Sequence, residues 1–159
     1  MSAVLTESLR TKFDELRAEY PSEMAPSLVL PLLYAVQDVK GFVTTEDSDM
    51  IADYLGVPAI QVEEARTWYT MFERDAQGRY VVKVCRNIAC ALRGSDQLIA
   101  HLQKTLGIGL GETTADGRFT LKTVECLASC GTAPAMQIND TYHENLDAAT
   151  ADRILKELP

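Results

Sequence analysis

Nowhere does this sequence stay apolar long enough to cross a membrane as a helix, which takes roughly 18 or more consecutive residues. Basic residues are scarce, with 15 Lys and Arg against 23 Asp and Glu, so the chain lacks the positive footprint that nucleic-acid phosphates require. Histidine is rarer still: His101 and His143 are the only two, and neither belongs to the Cys-x-His pairing of a histidine-ligated iron centre. There is one tryptophan, Trp68, and there is no internal repeat or low-complexity tract. The opening MSAVLTESLRTKFDELRAEYP is too acidic for a mitochondrial presequence and lacks the pattern of a secretory signal. The expected setting is therefore the cytoplasm, where thiols stay reduced.

What remains is an ordinary globular composition, 47% hydrophobic and 24% charged over 159 residues, enough to bury a core without disulfides. The charge is uneven. Residues 1–78 carry six basic against fourteen acidic side chains, a net −8, whereas residues 79–159 carry nine of each. The acidic half reads as helices with a solvated outer surface. One spans about 5–19, stopped by Pro21 and Pro26. A second spans 28–40, with Ser27 as N-cap, Pro31 in the first turn and Gly41 as its end. Thr44 and Thr45 followed by Glu46 and Asp47 start a third, closed by Gly56, and Pro58 opens a fourth. Val62, Ala65, Tyr69 and Phe72 fall at helical spacing along that last helix.

The pattern changes after the turn AQGR at 76–79. RYVVKVC (79–85) and FTLKTVEC (119–126) read as strands that each end on a cysteine, and APAMQIND (133–140) as a third strand. Helices are expected from Ser95 to Gly107 and over 147–158. The division is α+β: an N-terminal helical bundle at 1–76, then an α/β domain at 77–159. GIGLG, at 107–111, follows a helix instead of joining a strand to one, so it reads as a flexible loop and not a phosphate cradle.

The four cysteines carry the chemistry. Cys85 and Cys90 stand with four residues between them, then come 35 residues, then Cys126 and Cys130 with three between them. A lone cysteine is most simply a small buried hydrophobe, but two short-spaced pairs at strand ends are not. Disulfides are disfavoured by the compartment, and neither pair has the Cys-x-x-Cys spacing of a redox dithiol. Zinc remains open, since both gaps fall within the range of its knuckles. An iron–sulfur cluster remains open as well, with two thiolates per iron and loops loose enough to aim N–H groups at sulfur.

The order of these cysteines, together with LPLLYAVQ, GFVTTED, TWYTMF, LGIGLGETTADGRFTL and VECLASCGTAP, resembles the thioredoxin-like 2Fe–2S ferredoxin family. Within it the chain is similar to the 24-kDa-type subunits of NADH:quinone oxidoreductase, over about residues 20–158. The resemblance implies a thioredoxin-like domain after the bundle. It implies one 2Fe–2S cluster, with Cys85 and Cys90 on one iron and Cys126 and Cys130 on the other. It further implies a heteromeric partner, a flavin subunit carrying FMN and NADH, in the peripheral arm of a complex on the cytoplasmic side. The same module occurs in NAD-linked hydrogenases and formate dehydrogenases. Two departures from the family pattern stand out. Ala128 occupies a place usually held by glycine, where a positive φ or crowding is expected. Arg66 and Trp68 stand where smaller or apolar residues are commoner; Trp68 reads as bundle core first and as a partner-facing anchor second.

Overall fold

The computed structural model describes residues 5–159 and divides into two compact units, meeting at Ala76 and Gln77. The first is helical. α1 (Glu7–Ala18) is capped by Thr6, whose Oγ1 accepts from the Leu9 amide at 3.3 Å, and it buries Leu9 and Phe13. A 3₁₀ segment, Ser22–Leu28, leads into α2 (Val29–Lys40), the most apolar helix of the unit, which buries Val29, Leu32, Leu33, Ala35 and Val36. The expected Ser27 cap is therefore displaced: Ser27 lies inside the 3₁₀ segment and caps nothing. Pro31 is the third residue of α2, where its missing N–H costs no intrahelical bond.

α3 (Thr45–Leu55) begins with a capping box between Thr44 and Asp47 and ends at Gly56, left-handed at φ +69°. α4 (Ala59–Trp68) follows, with Pro58 just before its first turn, and ends earlier than its apolar spacing suggests. Tyr69 is already extended, and Phe72 reaches the core from the following loop. Trp68 is the clearest correction, because it is 81% exposed. Val62 and Arg66 occupy the inward face of α4, and position 68 is rotated from position 66 by about 200° on a 3.6-residue helix. Arg66 is buried in its place. Its guanidinium donates to Glu63 (2.6 and 2.9 Å), the Val43 carbonyl (3.1 Å) and Thr45 Oγ1 (3.3 Å).

The second unit is a four-stranded sheet in the order β2-β1-β3-β4. β1 (Tyr80–Cys85) pairs in parallel with β2 (Phe119–Val124) and antiparallel with β3 (Met136–Ile138), which pairs antiparallel with β4 (Thr141–His143). The crossover between the parallel strands carries α5 (Ile88–Leu92) and α6 (Ser95–Leu106). α6 packs on β1 and β2 and beside α7 (Ala148–Glu157), joined to it by His101 and Asp152 at 2.8 Å. Val82, Leu102, Leu121, Met136 and Ala151 form the centre of this core.

Both outer strands are short or covered. The glycine-rich segment after α6 is not a slack loop: Gly111 N–H donates to Leu121 O, Leu121 N–H to Glu112 O and Thr114 N–H to Phe119 O, so it lies along β2. At the other side β4 has only three residues. Among the described residues no helix is long and apolar enough to cross a membrane.

Candidate metal centre

Parallel pairing fixes where the cysteines meet. In the β1/β2 register Cys85 stands opposite Val124, the last residue of β2, so both cysteine-bearing segments leave the sheet at the same end. That end, beyond the carboxyl termini of parallel strands, is where open α/β sheets place ligands. The strand expected to run through Cys126 stops two residues short. At that point the neighbouring segment is turning into α5, and Arg86 N–H makes the final bond to Val124 O at 3.0 Å. The third strand is shorter than 133–140 as well, since Pro134 has no N–H to offer and Asn139 turns at φ +50°.

α5 has no counterpart in the sequence pattern. Its single turn, with Asn87 Oδ1 accepting from the Ile88 amide at 2.8 Å, folds Cys90 back under the strand end. Cys85 and Cys90 are buried with Leu127, Ala133 and Ala135. Cys126 and Cys130 are exposed. Cys85 N–H donates to Ala135 O at 3.0 Å, and its thiol points at Glu125 O, 3.9 Å away. Cys90 is within hydrogen-bonding reach of Cys85, accepts the Ala135 N–H, and feels the charges of Cys85 and Cys130. Cys130 opens a 3₁₀ turn, Cys130–Thr132, that packs against α5. All four thiols are free.

Burial, followed by the hydrogen bond from Cys85, pushes the Cys90 thiol above its ordinary value, and the Ala135 N–H offsets this only in part. A metal would displace that proton on binding. Between the second pair, Leu127 is buried and Ala128 sits at φ +60°, where its N–H donates to Cys126 Sγ at 3.2 Å. The positive φ expected at this position is present. Arg86, 56% exposed, pairs with Glu125 at 2.8 Å, and Arg93 Nε donates to Ala133 O at 3.4 Å.

Among the described residues, no three or more His, Cys, Asp and Glu side chains converge on a single metal position. A binuclear cluster divides its donors two and two. Free sulfurs in two pairs, one buried and one exposed, with backbone N–H groups aimed at Cys90 and Cys126, fit that arrangement.

The fold and the thiol pocket define a class: a sheet-end, cysteine-lined redox domain of thioredoxin-like architecture. The chain belongs to the thioredoxin-like [2Fe-2S] ferredoxin family, whose model matches residues 13–159. It is 42% identical over 149 residues to an NADH-quinone oxidoreductase component of Rhizobium meliloti (strain 1021), covering 94% of this chain and 88% of that one. It is 36% identical to the mitochondrial NADH dehydrogenase [ubiquinone] flavoprotein 2 of Dictyostelium discoideum, covering 96% of this chain and 62% of the relative. An air-oxidised NAD+-reducing [NiFe]-hydrogenase shares the fold, with a TM-score of 0.67 at 22% identity, covering 79% of this chain and 22% of the hydrogenase chain.

Proposed function

We propose that this chain is an electron-transfer subunit of an NADH-oxidising complex. In this reading Cys85 and Cys90 hold one iron of a single 2Fe–2S cluster, and Cys126 and Cys130 hold the other. The partner is a subunit that binds NADH and FMN, with which this chain exchanges single electrons. Its setting in this reading is peripheral, on the cytoplasmic side of a respiratory NADH:quinone oxidoreductase, and the NADH-quinone oxidoreductase relatives support that parent complex. A parent complex of the NAD-linked hydrogenase kind, in which the same fold occurs, is the alternative.

The observation that carries the proposal is the parallel β1/β2 register, which delivers both cysteine loops to one end of one sheet. When bound, the cluster supplies reversible one-electron chemistry and no acid–base step. The chain's own residues do the rest. Four thiolates bind, and Leu127, Ala133 and Ala135 keep water from the inner pair. The amides of Ala128 and Ala135 point at sulfur, where N–H donors stabilise the added negative charge of reduction and raise the potential.

Iron and acid-labile sulfide analysis of anaerobically purified protein, read beside visible and reduced-state EPR spectra, tests this directly. Two irons and two sulfides per chain with an EPR signal on reduction are expected. One zinc and no sulfide after iron-replete expression would overturn it in favour of a zinc-stapled interaction module.

A further inference from the structure

The loop that carries the exposed cysteine pair has little apolar packing to hold it. Leu127 is buried, but Ala128, Cys130 and Gly131 are exposed, and Ala128 stands at φ +60°. Its order comes from hydrogen bonds, and these converge on one short stretch of chain, 144–146, between β4 and α7. Thr132 Oγ1 donates to Glu144 Oε1 at 2.7 Å, Asn145 N–H donates to Thr132 O at 2.7 Å, and Leu146 N–H to Pro134 O at 3.2 Å. The Ser129 hydroxyl lies within hydrogen-bonding reach of the same carboxylate. Ser129 and Thr132 stand on either side of Cys130, so one carboxylate grips the turn on both sides of a cysteine. Asn145, at φ +50°, turns the backbone at this seat, a conformation that asparagine adopts more readily than most residues.

Charge separates Glu144 from the other carboxylate beside the site. Glu125 is matched by Arg86 at 2.8 Å, so that pair adds no net charge. Among the described residues, Glu144 is bonded by hydroxyl groups, with no cation and no thiol as partner. Those hydroxyls hold its carboxyl below its ordinary value. An uncompensated carboxylate beside a redox centre disfavours added negative charge and lowers the potential, opposing the N–H donors of Ala128 and Ala135.

We infer that Glu144 is the positioning residue of the Cys126–Cys130 loop, acting through Ser129 and Thr132, and that its charge holds the potential of the cluster down. The inference deepens the electron-transfer reading and rests on it for the cluster, whereas the loop contacts belong to the metal-free chain as well.

The experiment uses the full chain, with and without cluster, and the variants Glu144→Gln, Glu144→Ala and Glu157→Gln. Glutamine keeps an acceptor for Thr132 and removes the charge; alanine removes both. Glu157→Gln is a control of equal charge change at the far end of the sheet, where Leu158 O and Pro159 O accept from Arg118 and Tyr80 at the entry of β2 and β1. In the metal-free chain, Glu144→Ala is expected to speed amide exchange at Thr132 and Asn145 by about tenfold, as loss of a charge-assisted hydrogen bond does, with Glu144→Gln closer to wild type. In the loaded chain, both Glu144 variants are expected to show a higher midpoint potential than wild type, and Glu144→Ala to lose iron to a chelator about tenfold faster. Glu157→Gln is expected to match wild type in every readout. Unchanged exchange at Thr132 and Asn145 in Glu144→Ala overturns the positioning role, and an unchanged potential in Glu144→Gln overturns the role of the charge. A wild-type chain that takes up no cluster refutes the electron-transfer reading and the effect on potential with it, while exchange in the metal-free chain still decides the loop contacts.

Discussion

Ala128 shows how much one Cβ matters. An L-residue other than glycine in the left-handed region costs about 1 kcal/mol, and Ala128 accepts that cost at φ +60° while holding its N–H on Cys126 Sγ. Ala128→Gly is therefore expected to raise the stability of the apo chain by up to about 1 kcal/mol, less whatever the greater freedom of unfolded glycine takes back. Thermal unfolding of the metal-free protein checks this, and a lower midpoint would mean that freedom outweighs strain. Trp68 makes the complementary case. At 81% exposure its truncation to alanine should change stability by no more than about 0.5 kcal/mol. As the only tryptophan, it should also emit at a water-like wavelength and be quenched freely by acrylamide in the folded protein. The sequence pointed the wrong way here because aromatic residues near the end of an apolar helix usually face inward, and the early end of α4 at Trp68 could not be read from spacing.

Among the elements, those with strong local signals were legible and those made by tertiary pairing were not. The capping box at Thr44, the left-handed glycines at Gly41 and Gly56, and the alternating burial of β1 are written in residue types. α5, a single turn, has too few residues for any period, and β4 exists only because β3 offers it an edge. β2 reads as running to Cys126 and stops at Val124, because what ends it is the turn of its neighbour and not its own composition. Arg66 exposes the same limit in α4, since its partners Val43 and Thr45 are distant in sequence. Its hydrogen bonds hold the Glu63 carboxyl below its ordinary value. A depressed carboxylate stabilises the fold above its unfolded pKa and loses that contribution as pH falls through the folded one. Arg66→Met should destabilise the protein by about 2 kcal/mol near neutrality, a figure set below that of a fully buried pair because Glu63 is partly exposed. Urea unfolding at neutral pH and near pH 3 checks it, with the gap to wild type narrowing in acid as Glu63 protonates.

For the whole molecule, the division at Ala76 and Gln77 separates two cores that share no buried cluster. Cys126→Ser should abolish or weaken cluster binding and leave the helices of the first unit folded. Hydrogen exchange is the discriminating measurement: protection is expected to fall around Cys85–Cys90 and Cys126–Ala135 and to hold across α1–α4. Loss of protection throughout would show that the two cores unfold together. The family was legible at this scale because its cysteines and turn residues lie in a fixed order along most of the chain, while the geometry that joins them depends on strand pairing across some forty positions.

The covering of the sheet edges bears on how such a subunit survives before assembly. An unpaired strand edge is a template on which another chain can add itself, and it is the usual starting point of edge-to-edge aggregation. Here the segment after α6 already occupies the backbone groups along β2, and β4 is three residues long. A copy of this chain thus offers a newly made neighbour little open ladder to extend, which removes the commonest route to edge-to-edge aggregation.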